Sequence, residues 1–275
     1  MPPVTPLHDA HAHLTHPRLR DDVDAVLDRA RDAGVTRVIA NGLNYSDNLA
    51  VQALSRRRPD IVRPAYGLYP VDAVLEEMTA AGVDYPRDPG EIRAEETIAW
   101  VREHAGEAIA IGEVGLDGKW VPSEFWPLQE QRFCAMVELA LAADRPLIIH
   151  SRKRELRCFE LCRELGAERV LFHAYSSKLK LAQRIAEAGY YLSVPSNARR
   201  ADQYGALVRK IPRERLLLET DAPYLSPDRE RWPRNEPATV AETVAFAAEV
   251  WSEPAPSAAQ VFADNYERLF REPAS

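Results

Sequence analysis

The chain has 275 residues, 46% of them hydrophobic and 28% charged, with a formal net charge of -7 and a pI near 5.6. That length suits one barrel of roughly 250 residues better than a minimal module, and the apolar share is enough for a large core. The acidic balance argues against a broad basic groove for duplex nucleic acid, while leaving room for a focal site that takes an anion.

The opening residues, Met1 to Pro6, hold no basic region followed by an apolar stretch, so no signal peptide is expected. No run approaches the roughly 18 apolar residues of a membrane span. The first strand-like run carries Leu7-His8-Asp9-Ala10-His11-Ala12-His13, and a helix is predicted from Asp21 to Ala33, stopped by Gly34. A strand over Val35 to Asn41 follows, then a helix to Arg57 capped by Ser46, then a third strand over Ile61 to Gly67. The connection from Val71 to Gly106 is long, and Tyr85-Pro86-Arg87-Asp88-Pro89-Gly90 breaks it between two helical pieces. Apolar runs ending at Gly112, Ile149 and Phe172 alternate with helices near Pro127 to Ala143, Arg154 to Leu165 and Lys178 to Ala188. Tyr190 to Val194 is the seventh strand, and the eighth ends before Asp221. Helices over Pro237 to Trp251 and Ser257 to Phe270 are expected to pack outside.

Strands regularly followed by helices, with no linker-like composition break and no repeat, predict an α/β fold. The expected architecture is a (β/α)₈ TIM barrel, a single domain over residues 1–275. Three cysteines, Cys134, Cys158 and Cys162, cannot make a disulfide framework and point to a reducing, cytoplasmic compartment. Cys158 and Cys162 read as packed core thiols.

Six residues able to bind a metal stand where such runs stop: His11, His13, Glu113, His150, His173 and Asp221. Parallel barrel strands aim their C-terminal ends at one rim, so these residues are expected to meet in one pocket. Residues two apart on a strand point the same way, which brings the His11 and His13 imidazoles to one ion. Asp9 shares that parity and is expected to orient a ligand from behind. Glu113, directly after Ala110-Ile111-Gly112, needs a cation or a proton if it is buried. Such a carboxylate can bridge two ions, one through each oxygen. His8 and His16 pair with no other ligand and read as surface residues; His104 reads as structural.

The stretches Asp9-Ala10-His11-Ala12-His13-Leu14, Ile111-Gly112-Glu113-Val114-Gly115-Leu116-Asp117, Ile148-Ile149-His150-Ser151-Arg152 and Glu219-Thr220-Asp221-Ala222-Pro223-Tyr224-Leu225 resemble the signatures of the TatD family. Phe172-His173-Ala174-Tyr175-Ser176-Ser177 and Arg234-Asn235-Glu236-Pro237 resemble two more. That family comprises metal-dependent hydrolases with deoxyribonuclease activity on an amidohydrolase-like barrel. The resemblance implies that His11, His13, Glu113 and Asp221 hold one metal and that Glu113, His150 and His173 hold a second. Four imidazoles favour zinc or a similar transition ion (Zn2+), and the resemblance adds magnesium (Mg2+) and manganese (Mn2+). The chain departs from the family pattern at Tyr69, where Gly67-Leu68-Tyr69-Pro70 replaces the common Gly-Ile-His-Pro. It departs again at Gly118 and Lys119 before Trp120, at Ser177, and at Arg231-Trp232-Pro233.

The expected chemistry is hydrolysis by a metal-held hydroxide, with Asp221 as general base and then acid to the leaving oxygen. Arg152 and Lys119 are candidates to pair with a phosphate oxygen, although a solvated surface charge is the plain alternative for each. Tyr69 and Trp120 are candidates to stack on a base, and Glu219 to brace the site. The expected substrate is nucleic acid, as DNA single strands or strand ends. The alternatives are an amidohydrolase-like ester or amide hydrolase, including aminoacyl-tRNA deacylation, and a non-catalytic metal-binding protein. No protein partner is identifiable.

Overall fold

The structure, a computed structural model, describes residues 5–87 and 90–271. Residues 1–4 of the expected leaderless start, and Asp88 and Pro89 of the expected break, lie outside the described residues. The eight strands of one sheet pair in parallel in chain order: β1 (Leu7–Ala12), β2 (Val35–Asn41), β3 (Val62–Tyr66), β4 (Ala110–Asp117), β5 (Leu147–Arg152), β6 (Val170–Phe172), β7 (Tyr191–Pro195) and β8 (Leu216–Glu219). Between them run α1 (Val23–Asp32), α2 (Tyr45–Arg57), α3 (Asp72–Ala80), α4 (Ala94–His104), α5 (Trp126–Ala142), α6 (Glu155–Glu164), α7 (Leu179–Glu187) and α8 (Asp202–Lys210). After β8 come α9 (Val240–Trp251) and α10 (Ala255–Phe270). This is the expected (β/α)₈ barrel.

Inside the barrel, small and large side chains share the space. Ala10, Ala65 and Ala110 stand among Ile39, Ile148, Leu171 and Leu217 in one buried cluster. A second, larger cluster fills the layer between the strands and the surrounding helices. Each fully buried leucine or isoleucine contributes roughly 1.5–3 kcal/mol, so the two layers make a rigid base for whatever the strand ends carry.

Closure of the ring depends on one polar residue. Among the described residues β1 is joined to the turn after β8 by a single bridge, Ala12 to Ala222, with His13 N donating to Ala222 O (2.8 Å) and Asp221 N to His11 O (2.9 Å). The fully buried Asp9 carboxylate fastens the seam: it accepts from Thr220 N (2.9 Å), Thr220 Oγ1 (2.6 Å) and His11 N (3.2 Å). Asp9 therefore holds backbone and not an imidazole ring, a different task from the one its parity suggests.

Four other expectations are corrected. Asn44, rather than Ser46, caps α2, its side chain accepting from Asp47 N, while Ser46 lies in the first turn. The stretches carrying Glu113 and His150 do not stop at those residues, because β4 and β5 continue as a pair to Asp117 and Arg152. α10 does not simply lie outside: Tyr266, Leu269 and Phe270 join the inner-barrel cluster and cap its N-terminal end, where the His8 ring lies 4.4 Å from that of Tyr266. His8 is accordingly buried, with Thr36 Oγ1 3.2 Å from its Nδ1, because it sits under that cap.

Replacing Asp9 by Ala leaves the Thr220 donors buried without an acceptor, a loss of about 2–4 kcal/mol. A urea midpoint unchanged from wild type in Asp9→Ala would show that the seam does not depend on this carboxylate.

Candidate metal centre

The six side chains singled out by the sequence converge at the C-terminal end of the barrel. Glu113 Oε1 lies 2.8 Å from His150 Nδ1 and 3.0 Å from His173 Nε2. Its other oxygen, Oε2, lies 3.5 Å from both His11 Nε2 and His13 Nε2. Asp221 Oδ1 is 3.3 Å from His13 Nε2 and 3.8 Å from His11 Nε2. The two oxygens of one carboxylate thus face different pairs of imidazoles.

Local backbone irregularity aims these groups. The β4–β5 register shifts between Ile111 and Val114, and the β1–β2 register shifts between Asp9 and Ala12, so Glu113 and His11 both sit in bulge-like steps. Such steps re-aim a side chain that regular pleating would send elsewhere. Close packing of backbone does the rest. A Cβ on Gly67 would lie 2.4 Å from Glu113 N, and one on Gly115, at φ +147°, would lie 1.9 Å from His150 O. Asp221 holds φ 54°, a left-handed conformation that aspartate tolerates better than most residues.

Three further carboxylates brace the site. Asp117 Oδ2 is 3.2 Å from His150 Nε2, while its Oδ1 accepts from Lys119 N and Trp120 N. Glu219, fully buried, accepts from Ser193 Oγ (2.7 Å) and Ala174 N (2.8 Å) and lies 3.7 Å from His173 Nδ1. Asp9 sets the seam beneath His11. The Arg234-Asn235-Glu236 stretch ties the loop after β8: Asn235 Nδ2 donates to Thr220 O, and Glu236 accepts two bonds from Arg29.

Above the six lies a cleft of about 390 Å³. Of the expected substrate contacts, Tyr69 and Arg152 line it. The Tyr69 ring stands edge-on to His150 with centroids 5.0 Å apart, and burial, then the charge of Glu113, raises its phenol well above the usual range. Lys119 is not among the residues lining the cleft; its ammonium lies over the Trp120 ring at 5.1 Å, and Trp120 itself lines the wall. Residues that sequence reasoning passed over complete the rim: Tyr85, Arg87, Tyr204, Tyr224 and His16. His16 is half-buried and not a plain surface residue, because Arg18 N donates to its Nδ1 and its Nε2 meets Tyr224 Oη at 3.1 Å. The length of the connection from Val71 to Gly106 was noted but not read as a mark of a functional loop, and Asp117 was passed over within its own motif.

The donor set fits metal ions. His11 Nε2 and His13 Nε2 approach to 3.3 Å, where only one can carry a proton, and Glu113 Oε2 is buried without a hydrogen-bond partner. Ligand atoms of His11, His13 and Asp221 lie within 4.8 Å of one another, as do those of His11, Glu113 and His173. Burial, the strongest influence on Glu113, pushes its carboxyl up, yet His173, His11 and His150 together hold it well below the usual range. Imidazole nitrogens and carboxylates around such unsatisfied atoms are chemically suited to divalent ions.

Residues 8–271 match the family model described as TatD related DNase. The chain belongs to the TatD family of metal-dependent hydrolases. A TatD relative in Mus musculus, putative deoxyribonuclease TATDN3, is 32% identical over 269 residues, spanning 96% of this chain and 88% of its own. The uncharacterized metal-dependent hydrolase YabD of Bacillus subtilis is 31% identical, spanning 96% of this chain and 99% of its own. The crystal structure of YJJV, a TatD homolog from Escherichia coli K12, superposes with a TM-score of 0.83 at 27% identity, covering 98% of this chain and 100% of that one. A phosphotriesterase homology protein from Escherichia coli, at 17% identity and a TM-score of 0.63, shares the fold.

In this TatD protein, Gly115→Ala should displace the His150 carbonyl and with it the ring beside Glu113, destabilising the fold by on the order of 3 kcal/mol. A variant that melts with wild type and keeps the same zinc affinity by calorimetry would show that this close approach does not position the site.

Proposed function

We propose that this protein is a binuclear nuclease that hydrolyses phosphodiester bonds of DNA, in single strands or at strand ends. The observation that carries the reading is the Glu113 carboxylate, whose oxygens face His11 and His13 on one side and His150 and His173 on the other. In this reading His11, His13, Glu113 and Asp221 would hold one divalent ion, and Glu113, His150 and His173 would hold the second. Zn2+ suits the imidazoles by affinity; Mg2+ and Mn2+ are the competitors. Bound there, the two ions would lower the pKa of water and offset the charge of the scissile phosphate.

The chain's own groups supply the rest. Asp221, its carboxyl 14% exposed, takes the proton of the attacking water and returns it to the leaving oxygen. Arg152 offers its guanidinium to a phosphate oxygen, and Tyr69, kept neutral by burial and by Glu113, donates its hydroxyl hydrogen there. Trp120, Tyr85 and Tyr224 on the rim suit stacking with bases. The deoxyribonuclease name of the mouse relative supports DNA as substrate. No described helix is long and apolar enough to cross a membrane, and free thiols at Cys134, Cys158 and Cys162 support a cytoplasmic site of action.

The test is a panel of single-stranded DNA, RNA, aminoacyl-tRNA and simple esters, with protein stripped by chelator and reloaded with each ion. DNA cleavage should vanish with chelator and return with metal, and added metal should raise Tm by mass action. Cleavage of esters or amides with every oligonucleotide left intact would replace this reading by the amidohydrolase-like one.

Asp221→Asn should keep the fold while losing on the order of 10²–10⁴ in kcat. Near-normal turnover at full metal occupancy would remove Asp221 as base. His104, whose ring stacks on Trp100 at 4.1 Å and does not line the cleft, gives the control in His104→Ala.

A further inference from the structure

A second cavity of about 900 Å³ opens beside the cleft, between the β1–α1 loop and the start of α2. The two share His13, His16, Leu43 and Arg87 in their walls. The neighbouring cavity is amphipathic: Leu14, Val23 and Leu54 give it an apolar floor, and Arg20 and Arg57 stand at its edge. Among the described residues those two arginines pair only with exposed carboxylates, Arg20 with Asp21 at 3.5 Å and Arg57 with Asp24 at 3.3 Å. Exposed pairs of this kind are worth little and exchange readily for another anion. Asp47, the acidic group in the wall, is occupied by Thr15 Oγ1 (2.5 Å) and Leu43 N (3.0 Å).

Arg87 stands where the two spaces meet, and it is held there. Its guanidinium pairs with Asp72, which is fully buried and also accepts from Asn44 Nδ2 at 2.7 Å. It lies over the Tyr69 and Tyr85 rings at 5.5 and 5.8 Å. One of its donors is left open: Arg87 Nε is buried with no hydrogen-bond partner. The side chain as a whole is 26% exposed and lines both spaces, so its charge is open to an anion at the junction. A fixed cation with a spare donor, between a hydrolytic cleft and an amphipathic cavity, matches one ligand chemistry. That chemistry is a phosphodiester whose next nucleotide continues into the second space, its base on the apolar floor and its backbone charge at the arginine edge.

We propose that this cavity is the subsite for the nucleotide adjoining the scissile bond, with Arg87 at the junction binding a phosphate oxygen. The proposal deepens the nuclease reading and rests on it. It assigns preference for chains over isolated phosphodiesters to residues outside the metal centre.

Ala50 and Ala53 are exposed positions of α2 that line the cavity, so Ala53→Trp fills it without disturbing the core. Arg87→Lys keeps a counter-charge for Asp72 but removes Nε. Two readouts are needed. The first is fluorescence anisotropy of a fluorescein-labelled pentathymidylate on chelator-treated protein. The second is the ratio of kcat/KM for unlabelled pentathymidylate to that for the p-nitrophenyl ester of thymidine 5′-phosphate, on zinc-loaded protein. Each variant should weaken anisotropy binding and lower that ratio by about tenfold, the worth of one charge-assisted hydrogen bond. Ala50→Trp, with Tm measured alongside, repeats the test should Ala53→Trp fold poorly. Variants of native Tm with unchanged Kd and unchanged ratio, or a wild type that does not bind pentathymidylate, would overturn the subsite. A zinc-loaded wild type that cleaves neither phosphodiester defeats the nuclease reading itself, whatever the variants do in anisotropy.

Discussion

The buried carboxylate of Asp9 is the constraint on which the rest of the molecule depends. A ring of parallel strands must close somewhere, and here the last strand reaches the first with little ladder of its own. Three hydrogen bonds to Asp9 do what a longer ladder would otherwise do. They also tie the end of β1, which carries His11 with His13 just beyond it, to the turn that carries Asp221. The same carboxylate that completes the scaffold therefore sets one half of the candidate metal centre. Glu113 and its neighbours across the barrel set the other half.

The fold was open to reading because its signals repeat. Each strand is a short apolar run, each helix shows its own period, and their alternation leaves few architectures. The candidate site was legible for a related reason: a histidine or carboxylate that ends an apolar run conflicts with its surroundings unless something nearby compensates. That signal singled out His11, His13, Glu113, His150, His173 and Asp221, and the structure brings them together. It is silent about residues whose position depends on tertiary approach. Arg87 and Tyr85 come from a connection with no period, and only its docking over Tyr69 gives them a place in the cleft. Asp9 was misjudged because parity along a strand says which face a residue takes, not which atom it will meet; His8 and His16 were misjudged because lacking a partner ligand in the sequence says nothing of what packs over a ring. Lys119 follows Asp117 closely in sequence, yet its ammonium settles over the Trp120 ring and does not line the cleft.

Charge is distributed on two scales. Over the whole surface the protein is acidic, and most arginines are spent in pairs with nearby carboxylates, such as Arg58 with Asp24, Asp28 and Asp60. Around the cleft, aromatic rings and a few arginines replace those pairs. An anion approaching this molecule meets net negative charge overall, and a cleft whose wall carries Arg87 and Arg152.

The steps in register at Glu113 and His11 have a consequence for how sequences of this fold can drift. Side chains on a strand alternate with a period of two, so gaining or losing a single residue turns every later position to the opposite face. The bulge-like steps between Asp9 and Ala12 and between Ile111 and Val114 already use that freedom. Substitution around them leaves the frame intact, whereas an insertion or deletion there would turn His13 or Asp117 away from the partners it now meets. A change of length in the outer connections, by contrast, would leave the side chains at the strand ends in frame.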